Sequence, residues 1–223
     1  MAPLPHTDRA DELVLLRREQ TVNGNAALSL LELGSGARLN VPAAGDEITY
    51  YLLSGRGTIG FSQLEHESRW VADPDTAAFV GAGTAHSLHN VGEGPFRCLA
   101  TRCVAPVGGV YGRRVSRRDE WPIHELVGFV SRSVFNRSEL EAAGASRTVG
   151  VDLETLTPRA TLSTHAHEEE ILYVLRGEGI VRSPAGDIQL GPGSVAYTGP
   201  HVPHSVHNTE DDNLQYLVWE FRP

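Results

Sequence analysis

The chain repeats itself, and the repeat limits what it can fold into. Tyr51-Leu52-Leu53-Ser54-Gly55-Arg56-Gly57 is echoed 122 residues later by Tyr173-Val174-Leu175-Arg176-Gly177-Glu178-Gly179, and His86-Ser87-Leu88-His89-Asn90 is echoed 118 residues later by His204-Ser205-Val206-His207-Asn208. A 223-residue chain built from two such copies gives units of about 100 to 110 residues, each long enough to bury its own core. The two offsets differ by four, which predicts a short insertion in the first copy within the polar stretch from Ser62 to Thr76.

The residues between these echoes read as β structure. Glycine (23) and proline (13) recur between short apolar runs, as in Ser183-Pro184-Ala185-Gly186-Asp187 and Leu190-Gly191-Pro192-Gly193, the punctuation of closely spaced hairpins. Long helices are not expected. Short helical turns are predicted near Asp8 to Leu16 and near Arg137 to Ala143, where Ser138 would cap a first turn containing Glu139 and Glu141. Pro106 to Phe129, with Gly108-Gly109 and Arg113, Arg114, Arg117 and Arg118, reads as a connection whose arginines form a solvated linker or an interdomain ion-pair surface.

The chemistry concentrates in the second copy. A His-x-His pair on a strand, His165 and His167, sends both imidazoles to one face, because side chains alternate with a period of two. A third imidazole is available from Pro200-His201-Val202-Pro203-His204. Three neutral imidazoles and one carboxylate suit a divalent first-row metal and, in six-coordinate geometry, leave two positions open.

At these residues the chain resembles the cupin superfamily. Its first motif runs His-x-His, three or four residues, Glu, six residues, Gly; Glu170 to Gly177 has the last spacing, while only Glu168 and Glu169 separate His167 from Glu170. The second motif ends Pro-x-Gly-x-x-His, three residues, Asn; His204 to Asn208 fits, but Gly199 stands at the proline position and His201 at the glycine position. The resemblance, over most of the chain, implies an all-β protein of two tandem jelly-roll (double-stranded β-helix) barrels with short helical segments. Residues 1–106 would form the first barrel, 107–136 the connection and 137–223 the second barrel. It also implies one divalent ion in the C-terminal barrel, Fe(II) or Mn(II) first and Ni, Co or Zn as alternatives, held by His165, His167, Glu170 and His204. The carboxylate has two candidates. Glu170 has the motif spacing, and requires a bulge after His167 to turn inward; Glu169 shares strand parity with the two histidines.

The copies are not chemically equivalent. With Gly55 aligned to Gly177, Ala43 and Gly45 replace His165 and His167, Glu47 matches Glu169 and Ile48 matches Glu170, so that His86 and Glu47 alone keep ligand types. The first barrel is therefore expected to be metal-free, serving as a packing partner, a homodimer surface or a vestigial pocket. Near the second site, Glu169, His201 and Tyr197 are the candidate catalytic groups; Tyr173, Tyr197 and Trp219 read more readily as core, and Leu172 and Val174, which share parity with Glu170, as an apolar pocket wall.

The resemblance implies an enzyme acting on a small polar or aromatic metabolite, either an oxygenase or a non-redox isomerase, decarboxylase or lyase. A small-ligand binding or sensory protein is the alternative, since fold does not carry reaction class. A formal charge of −9 and the lack of aromatic residues within a basic stripe argue against nucleic acid. No long apolar segment reads as a membrane span and Met1 to Glu12 lacks a hydrophobic signal region, so a cytoplasmic location is expected. Cys98 and Cys103, five apart in a predicted strand, point to opposite faces and are expected as free thiols.

Overall fold

The structure, a computed structural model, describes residues 10–63, 66–106 and 112–222. The first half contributes β1 (Ala10–Leu16), β2 (Ala26–Leu33), β3 (Arg38–Val41), β4 (Asp46–Ser54), β5 (Gly57–Gln63), β6 (His66–Ala72), β7 (Thr76–Val80), β8 (His86–Asn90), β9 (Phe96–Val104) and β10 (Arg113–Arg117). These form a six-stranded sheet ordered β1-β2-β9-β4-β7-β10 and a four-stranded sheet ordered β3-β8-β5-β6. The second half contributes β11 (Ile123–Leu126), β12 (Phe129–Phe135), α1 (Arg137–Ala142), β13 (Thr148–Leu156), β14 (Thr161–His165), β15 (Glu169–Arg176), β16 (Gly179–Ser183), β17 (Gly186–Leu190), β18 (Val195–Thr198), β19 (His204–Asn208) and β20 (Leu214–Phe221). They repeat the plan with a six-stranded sheet β11-β12-β13-β20-β15-β18 and a four-stranded sheet β14-β19-β16-β17. The chain is thus nearly all-β, with jelly-roll sheets.

The repeat motifs prove to be structural pins. Gly55 and Gly177 take φ of +88° and +81°, and a Cβ on either would stand 2.5 Å from the carbonyl oxygen of Pro95 or Asn213. Only glycine fits both demands. Asn90 donates from Nδ2 to the carbonyls of Leu33 and Gly94, and Asn208 does the same for Leu156, Thr157 and Asp212. Both side chains are buried, so each satisfies backbone acceptors that water cannot reach. The four-residue insertion lengthens the first hairpin. β5 and β6 pair seven residues deep, from Gly57 opposite Ala72 to Gln63 opposite His66, whereas β16 and β17 pair five deep.

Strand alternation generates three cores. One face of the first large sheet, with Ile48, Tyr50, Leu52, Ala78, Cys98 and Ala100, lines the first barrel. The equivalent face of the second, with Leu172, Val174, Tyr216 and Val218, lines the second barrel. The opposite faces meet: Tyr51, Phe79, Leu99 and Cys103 from the first half pack in one cluster with Ile171, Tyr173, Leu217, Trp219 and Phe221 from the second. Tyr173 and Trp219 are therefore core residues between the halves, and the two buried cysteines, both free, belong to different cores.

Two local expectations need correction, and a third, the arginine cluster, is met in its ion-pair form but on a strand. Ala10–Leu16 is an edge strand paired with β2, because the sheet supplies backbone partners that outweigh a weak helical preference. The cap of α1 is Asn136: its Oδ1 accepts from the Glu139 amide (3.0 Å) while the Glu139 carboxylate accepts from the Asn136 amide (3.2 Å), and Ser138 only donates to Asn136. The arginines expected on a connection lie on β10, which pairs with β7, and on the turn that follows. Residues 107–111 of that stretch lie outside the described residues. Arg114 pairs with Glu139 of α1 across the halves, and Arg118 with Asp75 at 2.6 Å. Among the described residues no helix is long and apolar enough to cross a membrane.

Candidate metal centre

The histidines meet at one end of the second barrel. His165 ends β14 and lies directly opposite His204, the first residue of β19. Their ring centroids are 4.4 Å apart, and His167 lies 4.9 Å from His165 and 6.4 Å from His204. His167 is in the connection between β14 and β15, not on a strand as the His-x-His spacing predicts. Strand parity therefore does not run from His165 into β15. Restarting at Glu169, β15 turns Glu170 inward with Leu172 and Val174. One ligand atom each from His165, His167 and Glu170 lies within 4.8 Å of the others, and His204 Nε2 stands 3.4 Å from Glu170 Oε2.

Each imidazole is oriented by a second contact. His165 Nδ1 lies 2.7 Å from the Ser163 carbonyl and His204 Nδ1 3.1 Å from the Val202 carbonyl. A carbonyl only accepts, so both Nδ1 atoms carry the proton and both Nε2 lone pairs are left for the cluster. His167 Nδ1 lies 3.3 Å from Glu220 Oε1, an equivalent orienting pair. His204 Nε2 is buried with no hydrogen-bond partner among the described residues. Burial lowers the His165 pKa; at His204 burial acts in the same sense, but the Glu170 carboxylate outweighs it and the net direction is up. A donor set of three imidazole lone pairs and a carboxylate, one of the lone pairs buried and unpartnered, fits a borderline divalent cation.

The other candidates are placed elsewhere. Glu169 lies on the opposite face of β15, where Tyr197 donates to it at 2.7 Å and itself accepts from the Val22 amide at 2.7 Å. These two residues join the halves; they do not face the histidines. His201 is exposed at φ +59°, and its amide donates to the His167 carbonyl at 2.8 Å. It occupies the position where the motif has glycine, and its backbone contribution is to hold the loop that carries His167. His207 contacts Thr161 and Ser205. Glu47, the other residue that keeps a ligand type in the first copy, turns to the interface between the halves, as Glu169 does.

Sequence reasoning misses three carboxylates. Glu220 is directly opposite Glu170 in the sheet, and Asp152 and Glu154 follow on the same inward face of β13, opposite Val218 and Tyr216. The one signal, for Asp152 and Glu154, is an acidic residue at alternate positions of a strand that ends in buried Leu156. Burial, reinforced by the neighbouring carboxylates, pushes Glu154 up to about 8; burial and Glu220 push Asp152 up to about 6; Glu220 itself is raised by burial. A folded-state pKa above the ordinary 4.5 means that the native protein holds protons that the unfolded chain releases. Stability of the metal-depleted protein should therefore fall as pH rises from about 4.5 to 8. Denaturation midpoints across that range test this, and Glu154→Gln should flatten the slope; an unchanged slope would refute the assignment.

Residues 152–220 match the family described as Cupin domain, a segment that contains every member of this cluster. The match is confined to the second half, and the sheets around it have the cupin jelly-roll fold. A curated relative, the oxalate-binding protein of Thermotoga maritima, is 34% identical over 65 residues, covering 28% of this chain and 54% of its own length, so the match spans about half of that relative. Among solved structures, the putative glyoxylate induced protein of Pseudomonas aeruginosa superposes with a TM-score of 0.78 at 15% identity, over 98% of this chain and 83% of its own. The oxalate decarboxylase of Bacillus subtilis gives a TM-score of 0.77 at 16% identity, over 96% of this chain and 72% of its own. At these identities both show likeness of fold.

Proposed function

We propose that the second barrel is a metal-dependent site for a small carboxylate-bearing metabolite, at which a proton is moved without net redox change, as in a decarboxylation, isomerisation or elimination. One divalent ion, Mn(II) or Fe(II), would be held by His165, His167, Glu170 and His204. When bound, it would polarise a substrate carboxylate or carbonyl. The observation that carries the reading is the convergence of His165, His167 and Glu170 beside His204, with a carboxyl group near neutral in pKa, Glu154, on the same inward face.

Glu154 is the residue we assign to proton transfer, since a group poised near the working pH both holds and releases a proton. Burial raises its pKa most, with Glu170, Asp152 and Glu220 adding to the rise by their charge, and Glu220 also orients His167. Leu172, Val174 and Val218 supply an apolar wall on the inner side of the site. The relatives named for oxalate and glyoxylate support a two-carbon acid as the first substrate class to try. The second reading, ligand binding without turnover, is favoured by the relative named as an oxalate-binding protein.

The test is a screen of small 2-oxo and dicarboxylic acids with the Mn(II)-loaded protein, following product and dioxygen together. Turnover without dioxygen consumption, lost in Glu154→Gln while the acid still binds, is expected. Dioxygen consumption would move the site to the oxygenases, and stoichiometric binding without product would favour the second reading.

A further inference from the structure

The first barrel has lost the histidines, yet its mouth is not neutral. Adjacent strands bring Arg113, Val80, Ile48 and Arg102 side by side in one row. In the second barrel the corresponding row contains Glu170 and Glu220. Ile48 thus stands at the level of Glu170 and Arg102 at that of Glu220, while Ala43 and Gly45 replace two imidazoles with almost no side chain. Carboxylates and rings have been exchanged for small side chains and positive charge.

Arg102 is 6% exposed, and its Nε and Nη2 have no hydrogen-bond partner among the described residues. Arg102 Nη2 forms a long ion pair with Glu12 Oε1 at 3.7 Å, beyond hydrogen-bond reach, and that oxygen likewise has no hydrogen-bond partner among the described residues. A buried guanidinium with open donors is costly unless an acceptor meets it. Nε and Nη2 form one edge of the planar group, the edge that a carboxylate takes with two parallel bonds. The surrounding polar groups do not compete. His86 is closed off, with Nδ1 against the Thr84 carbonyl (3.0 Å) and Nε2 accepting from the Tyr50 hydroxyl (2.8 Å). A second cation, Arg113, lies 5.5 Å and 5.3 Å from the ring centres of Phe61 and Trp70.

We propose that the first barrel binds a small organic anion, its carboxylate held on the Nε–Nη2 edge of Arg102. This site is independent of the metal centre and would let one chain hold two molecules of acid in different ways.

Calorimetric titration of the metal-depleted, full-length protein with oxalate, glyoxylate and acetate, against phosphate and chloride, tests it. One equivalent of at least one carboxylate should bind, and Arg102→Gln should weaken that binding about tenfold or more, the scale of a paired charge-assisted contact. His165→Ala should leave it unchanged. Glu12→Gln, which removes the competing carboxylate, should tighten it several-fold and decides the matter if Arg102→Gln does not fold. No carboxylate bound, equal binding of phosphate or chloride, wild-type affinity in Arg102→Gln, or no tightening in Glu12→Gln would each overturn the proposal. Metal content, measured on the same samples, reports separately on the second barrel.

Discussion

His165→Ala should give a folded protein that no longer retains a divalent ion, while His86→Ala should retain one ion per chain. The two histidines sit in homologous barrels but have different environments. His165 is part-exposed at the barrel mouth, with Nδ1 fixed by a carbonyl and Nε2 free to face His204, His167 and Glu170. Removing it deletes one of four donors and leaves few backbone contacts disturbed. A direct ligand should cost more than the roughly 10–100-fold in affinity that outer partners cost. His86 is buried between Tyr50 and Thr84, and burial pushes its pKa down to about 4. Its replacement should lower stability by opening a cavity and freeing the Tyr50 hydroxyl, with no change in metal content. Elemental analysis of both variants beside wild type checks this; equal loss of metal would show that the first barrel also holds an ion.

Glu47→Ala should be the most destabilising single change at the interface of the halves. The carboxylate is 1% exposed, yet Oε1 accepts from the Ser146 amide (2.5 Å), the Ser146 hydroxyl (2.5 Å) and the Arg147 amide (3.2 Å), and Oε2 from the Thr148 amide (3.0 Å) and hydroxyl (3.1 Å). One side chain on β4 thus gathers the backbone that begins β13. Truncation leaves these donors with no acceptor, and the expected loss is about 3–5 kcal/mol, the scale of breaking a buried charged network. Glu47→Gln, which keeps one acceptor oxygen but turns a donor toward other donors, should lie between the two. Urea denaturation measures both losses, and metal content should not change in either variant. A loss below about 1 kcal/mol would mean that water replaces the carboxylate.

Much of the fold is legible in the sequence because the repeat exposes it. Gly55 and Gly177, or Asn90 and Asn208, persist in both copies since the backbone needs them there whatever the barrel holds. Alternation alone places Leu172 and Val174 on the inner wall. The choice between Glu169 and Glu170 is not legible, because it depends on where β14 stops and β15 starts, and His167 lies in the gap. Alternation also cannot say that the outward faces of the two large sheets meet, which is what makes Glu47, Glu169 and Tyr197 interface residues. Asp152, Glu154 and Glu220 belong to no motif. Their proximity is a matter of register between β13, β20 and β15.

One divalent ion in the second barrel and none in the first is the arrangement on which the chemistry proposed above depends. Anomalous diffraction from crystals of the full chain grown with Mn(II) would locate every bound ion at once. One peak is predicted, enclosed by His165, His167, Glu170 and His204. No peak there after loading, or a peak of equal height beside His86, would refute that arrangement.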